Sequence, residues 1–248
     1  MIVFKSAREI ELMRDAGRIS AQALCAVGEA IRPGVATCEL DAAARRFIAK
    51  HGGEPSFLGY CNYPAAVCVS VNDEVVHGIP SDRVLKDGDI VSIDLGVVYK
   101  GYHGDNAKTF AVGKISDEAA RLISVTEQSF FAGMRAFKEG GRLSGISEGV
   151  QKTAEGAGFS VVRELVGHGI GRKLHEEPNV PNFVSANKGP RLRAGMVLAI
   201  EPMINLGAKE VITMPDGWTV RTKDGSLSSH YEHTVALTQN GPKILTQA

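Results

Sequence analysis

The chain repeats its own order of segments, and this internal repeat limits the available folds more than any other feature. Each half contains two helical stretches, with apolar residues at helical spacing, followed by strand-like stretches. Short motifs recur in the same order, VHGI at 76–79 with GHGI at 167–170, and LKDGDIVSID at 85–94 with LRAGMVLAIE at 192–201. We therefore expect one domain over residues 1–248, with pseudo-symmetric halves of about 1–115 and 116–248.

Capping residues indicate where the helical stretches begin. Ser6 and Glu9 have capping-box spacing, Thr37 is a candidate N-cap of the second helix, and Ser116 precedes the third helical stretch. A shorter helix is predicted from about 144 to 156. Strand-like segments are predicted at about 65–72, 89–98, 105–112, 160–166, 195–204 and 230–238.

Two of the strand-like stretches carry an acid near the middle, Asp94 in VSIDLGVV and Glu201 in VLAIEPMI. Acids are disfavoured in strands, and a buried carboxylate destabilises the fold by several kcal/mol or more unless it is paired. Asp105 follows Asp94 by eleven residues, with Lys100-Gly101 midway. A hairpin turning there would bring the two carboxylates close to opposite each other, and Gly104 would allow a bulge that adjusts their direction.

Each half supplies one histidine and two acids in the same order. The six residues are His77, Asp94 and Asp105 from the first half and His168, Glu201 and Glu232 from the second. They converge between the halves if these pack as pseudo-twofold mates. Neighbouring carboxylates repel one another, so one of them holds a proton unless cations intervene. The four acids match the charge of two divalent ions, and such a pair activates water for hydrolysis.

The type of donor narrows the choice of metal. Oxygen-rich ligation with a single imidazole suits manganese, iron or cobalt, and zinc less exclusively. The predicted ligands are Asp94, Asp105, His168, Glu201 and Glu232.

Each of these residues, taken alone, has an ordinary structural interpretation. Asp105 could be a turn residue, Glu201 a buried ion-pair partner, and Glu232 part of the polar face of an edge strand. His168 alone is weak evidence for a metal site, although its flanking glycines permit close backbone approach. The mirrored order of the whole set is what favours a metal site.

Two short motifs are unconvincing in their context. The GISEG sequence at 145–149 matches a nucleophile elbow, but it opens an amphipathic helix and does not follow a strand. The HEEP sequence at 175–178 lacks a second histidine, and its proline forbids the helical spacing of a zinc motif.

Several motifs together resemble those of type I methionine aminopeptidases, over nearly the whole chain. They are VVHGIP at 75–80, Asp94 with GYHGD at 101–105, GHGIG at 167–171, HEEP at 175–178, AIEP at 199–202 and HYEHT at 230–234. The resemblance implies the α+β pita-bread fold, in which two related α/β halves surround a central antiparallel sheet with helices on its outer face. It also implies removal of the initiator methionine from nascent chains with a small second residue.

The same resemblance implies roles for individual residues. The five predicted ligands would hold two divalent ions, with cobalt, manganese, iron or zinc as candidates. A hydroxide bridging the ions would attack the scissile carbonyl, with Glu201 as the proton shuttle. His77 would contact the substrate outside the metal shell, and His175 would reach the scissile carbonyl. The positions matching the methionine pocket are Tyr60, Tyr63, Cys68 and Trp218.

Two positions depart from the better-known bacterial relatives. Phe57 stands where a cysteine is expected, and Leu174 where a phenylalanine is expected. Both would border the pocket and alter its shape. Trp218 on its own would more often be a packing residue.

Composition limits the partners. Lys and Arg together number 28, as do Asp and Glu, which argues against a nucleic-acid or membrane-surface binder. The four cysteines form no CxxC pair, and neither a signal-peptide core nor an apolar run of bilayer length is present. We expect a cytoplasmic monomer that acts on nascent polypeptide N-termini, with transient ribosome contact.

Two other functions compete with this prediction. A proline-directed relative, an aminopeptidase P or prolidase, would share the five ligands but carry a large additional N-terminal domain, for which residues 1–64 leave little room. A non-catalytic binding module of the same fold would have lost its ligands, whereas all five are present here.

Overall fold

A computed structural model describes residues 1–248, and it contains four α-helices. They are α1 (Ala7–Ala30), α2 (Thr37–Lys50), α3 (Asp117–Arg135) and α4 (Ser144–Gly156), with a 3₁₀ turn at Tyr60–Asn62. All four α-helices lie in the predicted helical stretches. None of them combines the length and the apolar character that a bilayer crossing requires.

The cap of the first helix is the one predicted, the cap of the second is not, and Ser116 caps the third. Ser6 and Glu9 form the reciprocal capping box of α1, and the Ser116 hydroxyl accepts from the Ala119 N–H at the start of α3. Thr37 is the first residue of α2 and not its cap, because its hydroxyl donates to the Ser81 carbonyl and accepts from the Ser81 N–H. The N-cap is Ala36, whose N–H donates to the Glu39 carboxylate at 2.9 Å.

Fifteen short and long strands complete the fold. They are β1 (Glu54–Pro55), β2 (Val67–Val71), β3 (Glu74–Val76), β4 (Ile90–Tyr99), β5 (Tyr102–Ala111), β6 (Ser160–Val161), β7 (Gly167–Gly169), β8 (Glu176–Val180), β9 (Val197–Ile200), β10 (Met203–Asn205), β11 (Val211–Thr213), β12 (Val220–Thr222), β13 (Ser228–His230), β14 (Glu232–Thr238) and β15 (Gly241–Ile244). The main sheet is antiparallel with the order β1-β4-β5-β14-β9-β7-β8, and β2 and β15 pair with β4 and β14.

Two predicted strands are each split in two, and a third is shortened. The stretch 195–204 breaks at Glu201-Pro202, because proline has no N–H to continue a ladder. The stretch 230–238 breaks at Tyr231, and β13 then pairs with β10 instead of the main sheet. The stretch 160–166 gives only β6, and the next strand, β7, begins at Gly167. The breaks at Glu201 and Tyr231 both adjoin acids of the predicted site.

The β4–β5 hairpin turns at Lys100-Gly101, as predicted. Both residues have positive φ, 52° and 78°, which is the geometry of a type I′ turn. The ladder pairs Asp94 with Ala107 and Asp105 with Gly96, so the two acids are diagonal neighbours on one face and not direct partners. The register is continuous from end to end, so the predicted bulge at Gly104 is absent.

Gly104 instead allows α1 to cross the hairpin closely. A Cβ atom at this position would lie 2.5 Å from the Cα and N atoms of Gly17 on α1. We expect Gly104→Ala to lower the free energy of unfolding by about 1–3 kcal/mol, since neither backbone can move aside freely. Denaturant unfolding measures this loss. Gly156→Ala is the matched control, because a Cβ there meets nothing within 4 Å, and equal stability of the two variants would contradict the close-packing argument.

Side-chain alternation separates the core from the other face of the sheet. On β4, Ile93 and Leu95 are buried in the cluster that includes residues of α1 and α2, so Asp94 between them points to the opposite face. On β14, Val235 and Leu237 pack in the cluster that includes Phe130 of α3. The helices thus cover one face of the sheet, and the acids lie on the other.

Candidate metal centre

Adjacent strands of the main sheet carry the five predicted metal ligands. Asp94 lies on β4, Asp105 on β5, His168 on β7 and Glu232 at the start of β14, and Glu201 directly follows β9. Because β4, β5, β14, β9 and β7 are consecutive neighbours in the sheet, the side chains meet on the face opposite the helices. Residues far apart in sequence therefore share one site.

The donor atoms are close enough to share ions. One ligand atom each from Asp105, His168 and Glu232 lie within 4.8 Å of one another. The His168 Nε2 atom is 3.4 Å from Oε1 of Glu201. Asp94 lines the same cavity as these four residues. The structure thus brings all five predicted ligands together.

Crowding and burial make the four acids hard to ionise without cations. Burial first, and the neighbouring Asp105 second, raise the pKa of Asp94 well above its ordinary value. Burial raises the pKa of Asp105 to about 7. The pKa values of Glu201 and Glu232 are also raised well above normal, by burial and then by the other acids. Nearby cations would therefore be needed for all four carboxylates to ionise together.

Three of these acids have a buried oxygen without a hydrogen-bond partner, and this fits a metal site. The atoms are Oδ1 of Asp94, Oδ1 of Asp105 and Oε1 of Glu232. Buried polar atoms in native proteins are nearly always paired, so each such atom is unusual. Divalent cations would satisfy all three oxygens and offset the repulsion among the acids, so the donor set fits the metal chemistry predicted for it.

Hydrogen bonds to neighbouring groups orient two of the proposed ligands, His168 and Asp105. The Nδ1 atom of His168 lies 2.9 Å from the Gly169 carbonyl, so it carries the proton and leaves the Nε2 lone pair free for a metal. Burial lowers the pKa of His168 to about 3, so the ring is neutral. The Thr234 hydroxyl donates to the Asp105 carbonyl and accepts from the Asp105 N–H, which fixes that residue from β14.

The same acids form one wall of a cavity of about 140 Å³. Its other walls hold every remaining residue predicted for the site, namely His77, His175, Tyr60, Tyr63, Cys68 and Trp218. Phe57 and Leu174, the two departures noted in the sequence, also line it. Apolar and aromatic side chains thus enclose a narrow space that opens on the acids.

Two further histidines, His175 and His77, line the cavity. The Nδ1 atom of His175 is 2.7 Å from the Tyr60 hydroxyl oxygen, and its ring centroid is 4.2 Å from that of His168. His77 is in the left-handed region with φ 60°, and its ring lies nearly perpendicular to that of Trp218, with the centroids 6.1 Å apart. Burial lowers the pKa of His77 to about 4 and also lowers the pKa of His175, so both rings are neutral hydrogen-bonding groups near pH 7.

The aromatic wall is held by hydrogen bonds at its base. The Tyr63 hydroxyl donates to the Gly78 carbonyl at 2.9 Å, and its ring packs edge-on against Trp218. The Asp216 carboxylate accepts from the backbone N–H groups of Trp218 and Thr219. These contacts hold the tryptophan in place where it lines the cavity.

One residue at the site was missed in the sequence. The imidazole of His230 is buried, and its Nε2 atom lies 3.8 Å from Oε2 of Glu201. Its position two residues before Glu232 is the only signal that could have indicated it, since β13 and β14 were predicted as one strand. A continuous strand would have placed both side chains on one face, whereas the break at Tyr231 sends His230 to a different sheet.

Comparison with known sequences connects this site to a family of peptidases. The model of metallopeptidase family M24 matches residues 11–239. The methionine aminopeptidase of Clostridium perfringens is 56% identical over 246 residues, covering 99% of each chain. The resemblance first seen in short motifs is therefore confirmed over the full length.

Solved structures give the same result for the fold. The crystal structure of methionine aminopeptidase from Thermotoga maritima matches with a TM-score of 0.98 and 44% identity, covering 100% of both chains. Prolidase from Pyrococcus furiosus matches with a TM-score of 0.78 and 25% identity, but 66% of that chain is covered. The predicted α+β pita-bread fold is confirmed, and the prolidase has further chain without a counterpart here.

Proposed function

The chain belongs to metallopeptidase family M24, and we propose that it removes the initiator methionine from nascent proteins whose second residue is small. The observation that carries this proposal is the single cavity in which four buried acids and a histidine adjoin an aromatic and apolar pocket. The enzyme is accordingly a methionyl aminopeptidase, a hydrolase that acts on peptides and uses divalent metal.

Five residues are proposed to hold two divalent ions, Asp94, Asp105, His168, Glu201 and Glu232. The charge of four carboxylates supports two ions, and the oxygen-rich donor set suits manganese, iron or cobalt, with zinc less exclusive. When bound, such ions lower the pKa of a water and polarise the scissile carbonyl.

Glu201 is proposed as the proton shuttle of the reaction. Its carboxylate lines the cavity together with the other acids, and an ionised carboxylate there can accept a proton from water. An Oε atom of Glu201 accepts the proton of the attacking water and delivers it to the nitrogen of the leaving amine. Glu201 follows the end of β9 and precedes Pro202, which has no N–H to continue the strand pairing. The side chain of Glu201 is therefore free to face the cavity.

His175 and His77 are proposed to bind the scissile peptide from its two sides. The neutral rings can each donate one hydrogen bond. The Tyr60 hydroxyl, 2.7 Å from Nδ1 of His175, fixes that ring and leaves Nε2 for the scissile carbonyl. His77, near Trp218, contacts the substrate without ligating metal.

The apolar part of the cavity is proposed to select methionine. Tyr60, Tyr63, Cys68 and Trp218 supply aromatic and sulfur surfaces, against which a thioether packs favourably. Burial raises the pKa of Cys68, so the thiol stays neutral and apolar. Phe57 is larger than the cysteine expected at its position, and Leu174 is smaller than the expected phenylalanine. The two changes oppose each other in volume, which supports a pocket of altered outline and similar capacity.

Peptide hydrolysis tests the proposed substrate. We expect turnover of Met-Ala-Ser to exceed that of Xaa-Pro peptides by at least about a hundredfold, which corresponds to about 2.7 kcal/mol in the barrier. Chelation should abolish turnover, and manganese, iron, cobalt or zinc added back singly should reveal which ion restores it. Preference for Xaa-Pro peptides would favour the proline-directed alternative, and turnover that survives chelation would remove the metal mechanism.

Loss of the His77 imidazole should reduce turnover while both metal ions remain bound. We expect His77→Ala to lower kcat for Met-Ala-Ser by roughly 10–100-fold, the cost of one or two lost hydrogen bonds to the reacting group. Because φ is 60° at this position, His77→Asn is the matched control, since asparagine tolerates that conformation better than alanine. Metal content measured by elemental analysis should stay unchanged in both variants. Loss of an ion would refute the role of His77 as a substrate contact that does not ligate metal.

The oligomeric state and cellular setting are proposed from the completeness of the site. The pairing of β5 with β14 joins the two proposed halves, 1–115 and 116–248, into one catalytic unit over 1–248. Nascent-chain substrates imply a cytoplasmic enzyme with transient ribosome contact, and the site is complete within one chain, as a monomer requires. Sedimentation of the protein alone and with ribosomes tests both expectations.

A further inference from the structure

His230 is a buried imidazole that no part of the proposed mechanism uses. It ends β13, its residue is 1% exposed, and neither ring nitrogen has a hydrogen-bond partner in the protein. A buried donor or acceptor left unpaired destabilises the folded protein. Two such atoms in one ring therefore indicate a role that the protein's own hydrogen bonds do not account for.

The position of the ring is firmly set by its backbone. The His230 N–H donates to the Thr109 hydroxyl at 3.0 Å, and the His230 carbonyl accepts from the same hydroxyl at 2.9 Å. Met203 pairs with His230 across the β10–β13 ladder, two residues after Glu201. The imidazole is thus held beside the carboxylate by secondary structure on both sides.

The Glu201 carboxylate lies between two imidazoles. Its Oε1 atom is 3.4 Å from Nε2 of His168, and its Oε2 atom is 3.8 Å from Nε2 of His230. The two rings differ in what their far nitrogens contact. The Gly169 carbonyl holds the proton of His168 on Nδ1, whereas no group of the protein accepts from Nδ1 of His230. The carboxylate is then the acceptor that favours a proton on Nε2 of His230.

We propose that His230 is a positioning residue that donates a hydrogen bond from Nε2 to Oε2 of Glu201 and thereby orients the shuttle carboxylate. This inference rests on the proposed role of Glu201. The present 3.8 Å separation is longer than a hydrogen bond, as catalytic contacts in a free enzyme often are before they tighten in the complex. A carboxylate has about four lone-pair sites, so Glu201 can accept this bond and still ligate metal.

The main alternative is that His230 serves as a sixth metal ligand. The cavity that all five proposed ligands line does not include His230, whose Nε2 atom instead lies 3.8 Å from Oε2 of Glu201. The geometry therefore favours contact with Glu201 over direct ligation, and metal affinity separates the two roles.

The decisive variants are His230→Leu and His230→Gln. Leucine fills the space without a donor, whereas the glutamine amide can still donate to Glu201. We expect His230→Leu to lower kcat about 10–100-fold, the usual cost of losing such a supporting contact. The KM for Met-Ala-Ser and the manganese affinity should stay within about threefold, a difference below 0.7 kcal/mol. His230→Gln should recover most of the lost turnover.

A solvent isotope effect tests the link to proton transfer. If Glu201 is misoriented, its proton transfers become more rate-limiting. The deuterium isotope effect on kcat should therefore rise in His230→Leu and return to the wild-type value in His230→Gln. General loss of packing would lower kcat without this change. Equal kcat in His230→Leu and the wild type, equal loss in both variants, or a parallel loss of manganese affinity would each overturn the proposal.

The wild-type protein provides a test that does not depend on a variant folding. In the zinc-loaded enzyme, ¹⁵N NMR of the histidine rings should show the neutral form of His230 with its proton on Nε2. A proton on Nδ1 would overturn the proposal. Failure of the underlying mechanism is seen separately, because a Glu201→Gln variant that keeps full turnover would remove the shuttle role of Glu201 whatever the His230 tautomer.

Discussion

Asp105→Asn should abolish metal binding and turnover together while the fold remains intact. The substitution keeps the shape of the side chain but replaces an anionic oxygen, one without a hydrogen-bond partner, by an amide. Since the proposed ions need this charge to bind, we expect kcat/KM for Met-Ala-Ser to fall by about a thousandfold or more, a barrier increase of about 4 kcal/mol. Elemental analysis should show that at least one ion is lost.

The stability of the metal-free variant separates a site defect from a folding defect. Asp105 raises the pKa values of Asp94, Glu201 and Glu232 through repulsion. Removing its charge should therefore leave the metal-free protein at least as stable as the metal-free wild type.

Asp15→Asn is the matched control for this variant, because Asp15 lies on α1 and makes only partly exposed surface ion pairs, one with Lys100 at 3.3 Å. Such pairs contribute about 0–1 kcal/mol, so turnover should be unchanged. An Asp105→Asn enzyme that keeps both ions and most of its activity would contradict the assignment.

The features predictable from sequence are those with a local physical cause. Capping boxes, helical periodicity and the Lys100-Gly101 turn act within a few residues, and the helices and the hairpin were predicted correctly. The acids in apolar strands indicated the site because an unpaired buried charge is so unfavourable that each one requires a partner such as a cation.

The errors arose where distant parts of the chain compete for the same group. The Thr37 hydroxyl is bound to Ser81, which lies 44 residues away, so it cannot cap its own helix. The room at Gly104 is used by Gly17 of α1 and not by a bulge. The two-residue spacing of His230 from Glu232 was an available signal, but the sequence does not report that β13 leaves the main sheet to pair with β10.

Removal of the divalent ions should make stability fall as the pH rises above 7. In the metal-free protein, the pKa of Asp105 is raised to about 7, and those of Asp94, Glu201 and Glu232 are raised well above normal. These groups ionise near pH 4 in the unfolded chain. The folded state therefore holds more protons than the unfolded state above that pH, and the free energy of unfolding decreases until the folded groups have ionised.

The buried histidines have the opposite effect, but only at lower pH. Burial lowers the pKa values of His77 and His168 to about 4 and about 3, so they increase stability as the pH rises to about 6.5, where the unfolded histidines become neutral. Above that value their contribution is constant, and the slope comes from the carboxylates, with a smaller addition of the same sign near pH 8.5 from the buried Cys68 thiol, whose pKa is raised. Between pH 7 and 8.5 the melting temperature of the metal-free protein should fall by several degrees, at about 2–4 °C per kcal/mol for a chain of this size.

The metal-loaded protein should show almost no such slope, because bound cations keep the same carboxylates ionised at every pH in this range. Glu232→Gln provides a second control, since removing one of the four acids should reduce the slope of the metal-free protein. A metal-free protein with constant stability from pH 7 to 8.5 would mean that the acids are already ionised and paired without metal. The clustering of buried carboxylates would then require a different partner, and the argument from charge to a two-ion site would no longer hold.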